Sequence, residues 1–200
     1  MQWKIRKLKY DILIPPLGKH IYKFNEQEAA YYFDWYMQKV PERIAYISKV
    51  CAKKMRVSEE KMDCSPESLL ILWKWFRIKA KLEKAVHSEE EQNRKPNIYT
   101  NTQQLSLETE YILRDVGMYL GETFRKNNPN IYWSYYTKPS NDFFVNHPLL
   151  KGFVDRTSGN PSPVVFEPIH MARMQAVRLL NHESKDEDLL NLYNLWSAKK

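Results

Sequence analysis

Histidines and carboxylates are the side chains that most often move protons near neutral pH. His147, Asp155, Glu167 and His170 fall within one short stretch of this sequence. Brought together, they would make an acid–base site. Their spacing does not demand it, so no catalytic role is assigned. The five histidines, His20, His87, His147, His170 and His182, stand apart from one another and from the cysteines. The H-E-x-x-H and Cys/His spacings of a metal site are missing, and each histidine reads first as a structural or exposed residue. Five glycines in the whole chain leave no phosphate-cradling pattern, and no serine stands in G-x-S-x-G. Cys51 and Cys64 form no C-x-x-C and read as buried thiols. No cofactor or metal is expected, and the chain reads as non-enzymatic.

Two features point instead to binding. Glu108, Asp115 and Glu122 recur every seven residues and, with Glu110, put an acidic edge along one helix. Such an edge is either a recognition strip or a solvated face paired with Lys and Arg. Beyond it, Ile131-Tyr132-Trp133-Ser134-Tyr135-Tyr136 is rich in strand formers. Alternation puts Tyr132, Ser134 and Tyr136 on one side and Trp133 and Tyr135 on the other; one side is core and the other a partner surface. Asp115, Glu122, Trp133 and Tyr135 are therefore the expected contacts with another protein. The net charge of +7 supports a second reading, a nucleic-acid-binding accessory protein using Lys74, Arg77, Lys81 and Lys84 on a basic helix. That charge is spread along the chain rather than gathered in one block.

These residues need elements to position them. Ile12-Leu13-Ile14 before Pro15-Pro16 reads as a short strand or extended arm. Asn25 and Glu28 have capping-box spacing, and Ala29, Phe33, Tyr36 and Val40 share a helical face. Pro41 closes that helix or opens a second one running to about Arg56. Ser65-Pro66-Glu67 starts a third of about five turns, with Leu69, Leu72, Trp73, Phe76 and Ala80 inward. Ser106 caps a fourth that stops at Asn127-Asn128-Pro129, with Leu113, Val116, Leu120 and Phe124 on its core face. Gly117 and Gly121 beside them cost about 1 kcal/mol each relative to Ala, so a neighbour must approach closely there. Residues 131–136 and Phe143-Phe144-Val145 read as a hairpin, Val164-Val165-Phe166 as a third strand, and Ile169 to Leu180 and Leu189 to Trp196 as helices.

The whole is expected to be α+β, a helix-dominated single domain over 1–200 with a small antiparallel sheet in the C-terminal half and an exposed connection near 88–105. No stretch approaches the ~18 apolar residues of a membrane span, and a cytoplasmic location is expected. Oligomeric state is not legible.

The run Glu110-x-x-Leu113-x-Asp115-x-Gly117-x-Tyr119-x-Gly121-Glu122, followed by Trp133 and by Asn146-x-Pro148-Leu149-Leu150-x-Gly152, resembles small uncharacterised bacterial proteins. Some of these are similar to immunity proteins encoded beside polymorphic toxins. The resemblance covers residues 106–166 and implies a protein that neutralises a partner by binding it, with no catalytic residues to carry across. The positive net charge departs from the acidic character of many nuclease inhibitors and points away from a nuclease target.

Overall fold

The computed structural model describes residues 10–85, 103–157 and 159–199. Helices dominate it, and a small antiparallel sheet lies in the C-terminal half, which is the expected α+β class. Helix α1 runs Glu26–Met55. The Asn25 side chain accepts the N–H of Glu28, and the Glu28 carboxylate accepts the N–H of Asn25, both at 2.9 Å. The capping box thus forms as its spacing predicts. Pro41 does not divide the helix. An interior proline forfeits a hydrogen bond at a cost of about 3 kcal/mol. Here Tyr36 and Val40 before it and Arg43 and Ile47 after it bury in the same core, while the proline itself faces solvent. Burial on both sides holds the two halves as one helix.

Helix α2, Ser68–Lys79, has 12 residues rather than the expected five turns. Leu69, Leu72, Trp73 and Phe76 of its stripe are buried as expected, whereas Ala80 falls past the end of the helix and is only half-buried. It ends early because Thr109 takes over the next backbone groups: its hydroxyl accepts the Lys81 N–H at 2.9 Å and donates to the Lys81 carbonyl at 3.1 Å. Strand β1, Leu82–Lys84, then pairs antiparallel with β2, Gln103–Leu105. This ladder occupies the end of the expected connection; residues 88–102 of that connection lie outside the described residues.

Helix α3, Leu107–Asn127, begins at Ser106, whose side chain accepts the N–H of Thr109. Every residue from Asp115 to Phe124 is buried. A helix dry around its whole circumference is one that other elements surround. Helices α1, α2, α4 (Pro168–Val177) and α5 (Asp188–Ser197) all pack on it, as does strand β3, Tyr132–Ser134. The two glycines make this possible: a Cβ on Gly117 would meet the Ile169 backbone at 2.7 Å, and one on Gly121 the Trp133 ring at 2.2 Å. They mark tight packing, not an open groove. Cys51 and Cys64 are buried thiols as expected, and burial pushes Cys51 up to about 12, so it stays protonated and inert.

The sheet has the order β3-β4-β5, with β4 Leu149–Asp155 and β5 Ser162–Phe166. The third strand lies where expected, but the hairpin partner does not. Trp133 stands opposite Leu150 in β4, and residues 143–145 belong to the connection between β3 and β4. Phe143 is largely exposed, and Asn146 has φ 65, a left-handed conformation that no strand accepts. The first described residues form an extended arm, not a strand, with Tyr10 and Leu13 in the core and a single 3-10 turn at Ile21–Lys23.

Candidate functional site

Three of the four expected protein contacts turn inward. Asp115 is 1% exposed and accepts from Arg43 Nε at 3.0 Å, Arg43 Nη2 at 2.6 Å and the Tyr10 hydroxyl at 2.6 Å. Glu122 is buried, gripped by Arg125 and by the Trp133 indole N–H at 2.7 Å. Trp133 lies over Gly121 with 9% of its surface exposed. Tyr135 is half-buried against the Phe33 ring, centroids 4.9 Å apart. The seven-residue period does bring the acids to one face of α3, but α1 and β3 cover that face, so it is no recognition strip. Glu108 and Glu110, nearer the end of the helix, are paired with Lys81 and Arg173.

The basic helix is also redistributed. Lys74 and Arg77 share the Asp186 carboxylate, Lys81 pairs with Glu108 beyond the end of α2, and Lys84 is exposed in β1. The four cations therefore do not make one face.

A different set of side chains converges. His147, Glu167 and His170 line a cleft of about 460 Å³ together with His20, Tyr32 and Arg114. Asp155 is not among them: Lys199 at 2.8 Å and Thr157 hold it at the C-terminal end of β4, with its carboxyl well below the usual range. Each cleft residue has a local reason for its place. Glu167 precedes Pro168 and caps α4, its Oε2 accepting the His170 backbone N–H. Its other oxygen lies 3.7 Å from His147 Nδ1, and the residue is 2% exposed. Asn146, in its left-handed turn, aims the chain at the cleft, and its side-chain amide donates to the carbonyls of Ile21 at 3.0 Å and Phe24 at 3.1 Å. The arm carrying His20 is thereby tied to the loop carrying His147. Phe143 and Phe144 set their rings edge-on to His170.

Tyr32 of α1 and Arg114 of α3 complete the lining, and neither was singled out by sequence reasoning. Among the described residues the Tyr32 hydroxyl has no hydrogen-bond partner, although the residue is only 7% exposed. Burial pushes this phenol up against the opposing charge of Arg114, so it remains an O–H donor. Arg114 Nη1 donates to the Leu13 carbonyl at 2.6 Å, and its guanidinium has no acidic partner among the described residues. The one available signal was the α1 face itself, where Tyr32 stands one turn before the buried Tyr36.

Chemically the cleft offers several donors, one buried carboxylate and a His147–Glu167 pair, on apolar walls that include Phe24 and Ile169. That is the make-up of a binding pocket. Among the described residues no three His, Cys, Asp or Glu side chains are placed to hold a metal ion, and no helix is long and apolar enough to cross a membrane. Neither family models, curated proteins nor solved structures gave a match to this chain.

Proposed function

We propose that this chain is a non-enzymatic binding protein that docks another protein over the cleft. What carries the reading is the apolar rim. Phe143 is 73% exposed, Ile14 68% and Tyr22 60%, and they stand on the segments that line the cleft, beside Pro15 and Ile21. Phe143 lines the cleft itself, but a molecule confined to the cleft would leave Ile14 and Tyr22 in water. A protein surface would cover them, and grouped exposed apolar side chains are typical of such contacts. Neutralising a partner, as immunity proteins do, is one activity that this surface suits.

The test is a photoreactive benzoylphenylalanine in place of Phe143, expressed in the native host. A discrete protein adduct is expected at this position, lost when Arg114→Glu is added, and absent when the same group replaces Leu195, which is exposed but does not line the cleft. No adduct at position 143, or the same adduct at both positions, overturns the proposal.

A second reading has its own observation. Lys49, Lys53, Lys54 and Arg56 are exposed at the C-terminal end of α1, none has an ion pair among the described residues, and no acid lies between Glu42 and Glu59. This is where nucleic acid would find uncompensated charge. A single-stranded oligonucleotide is then expected to shift in a gel at low salt, with log K falling by about 0.7 per neutralised phosphate for each tenfold rise in salt. Lys53→Glu with Lys54→Glu should weaken it. No shift at low salt removes this reading.

A further inference from the structure

Resting on the protein-docking reading, we infer that the floor of the cleft recognises a carboxylate of the partner, held by the Arg114 guanidinium and the Tyr32 hydroxyl. Both keep N–H or O–H groups free, although the Arg114 guanidinium also lies over the Tyr111 ring, 5.4 Å from its centroid. Tyr32 is nine-tenths buried with no partner for its hydroxyl among the described residues, and it lines the cleft. Of the five N–H groups of a guanidinium, Arg114 uses one, toward the Leu13 carbonyl. A planar guanidinium with free N–H groups matches two carboxylate oxygens at once, and a phenol adds a third donor.

Charge selects the kind of anion. Lys19 and Arg173 also line the cleft, but they are committed to Glu28 and Glu110 at 2.6 Å and 2.9 Å. Arg114 is left to balance an incoming charge, with the Glu167 carboxylate already nearby. Glu167 is in turn answered by the His170 N–H at the start of α4 and faces His147. One guanidinium balances a single negative charge, so a carboxylate is neutralised, whereas a phosphate dianion would leave excess negative charge beside Glu167. The rim adds the second half of the specificity: Phe143, which lines the cleft, would grip an apolar residue next to the acid.

The probe is N-acetyl-L-phenylalanine, which joins a carboxylate to an apolar side chain, compared with its amide and with inorganic phosphate. Imidazole resonances of His147 and His170 in the full chain report occupancy. Saturable shifts are expected with the acid, at least tenfold weaker binding with the amide and with phosphate, and loss of binding in Arg114→Gln. Because Arg114 also holds the arm through Leu13, Tyr32→Phe is the second variant; it removes a single oxygen and should weaken the acid at least fivefold. Lys84→Gln, outside the cleft, should change nothing. Equal binding of acid and amide, tighter binding of phosphate, or unchanged binding in Tyr32→Phe overturns the inference. If the acid fails to bind while the Phe143 adduct forms, protein docking stands and carboxylate recognition falls. If the acid binds and no adduct forms, carboxylate recognition stands, the cleft serves a free carboxylate, and the docking reading falls.

Discussion

Arg43→Met is expected to cost about 3–5 kcal/mol of folding stability, the range seen when one partner of a buried ion pair is removed. Against a typical margin of about 5–15 kcal/mol this is a large loss. Arg43 and Asp115 are both almost fully buried, at 2% and 1% exposed. Removing the cation leaves a dry carboxylate with only the Tyr10 hydroxyl, and it also releases the Asp11 carbonyl that Arg43 Nη2 holds at 2.5 Å. The arm leading to the cleft would loosen with it. Urea unfolding midpoints measure the loss. Arg43→Met combined with Asp115→Leu should recover part of it, since no orphaned charge remains, and a double-mutant cycle isolates the pair. Glu42→Gln, which breaks the exposed pair with Lys39, should cost less than about 1 kcal/mol. A loss in Arg43→Met no larger than that would show that the buried pair contributes nothing special.

The same variant has a predictable pH response. Burial pushes the Asp115 carboxyl up, while hydrogen bonds from Arg43 and Tyr10 pull the other way. Without Arg43 the upward push is less opposed. A carboxyl whose folded value lies above its unfolded value binds more protons in the folded state, so stability falls as pH rises between the two. The deficit of Arg43→Met relative to the parent should therefore be greatest near neutral pH. It should narrow as the pH falls toward the ordinary carboxylate range.

Local chemistry with one dominant solution was legible in the sequence. Asn25 with Glu28, Ser106 before Leu107, and the stripe of α2 depend on neighbours within a turn, and they form where the spacing puts them. Pairings decided by distant residues were not. Residues 143–145 have strand composition, yet β3 takes β4, because Leu149 and Leu150 are fully buried whereas Phe143 and Asn146 suit a surface turn. The acids of α3 looked like a solvent edge because nothing near them in sequence announces Arg43 or Trp133. For the same reason the cleft was half visible: His147, Glu167 and His170 were picked out by type, whereas Tyr32 and Arg114 reach it only through the packing of α1 on α3. Asp155 shares their type and neighbourhood in sequence but ends on Lys199, since β4 carries it away.

Gly117→Ala is expected to destabilise the protein although alanine is the better helix former by about 1 kcal/mol. The new methyl would stand 2.7 Å from Ile169 Cα and 2.8 Å from its backbone nitrogen. Backbone in the first turn of α4 cannot swing aside as a side-chain end can, so the whole turn must move. Overpacking of this kind costs about 1–3 kcal/mol, enough to outweigh the gain in propensity. Gly18→Ala, where an added Cβ meets nothing within 4 Å, should be close to neutral and serves as the control. The effect should also reach the cleft, because the turn that moves carries Glu167 and His170 on either side of Ile169. A shift of the His170 resonances in folded Gly117→Ala, with weaker binding of N-acetyl-L-phenylalanine, is the expected result. A variant more stable than the parent would mean that α4 is not pressed onto α3 at this glycine, and that the notch does not position the cleft.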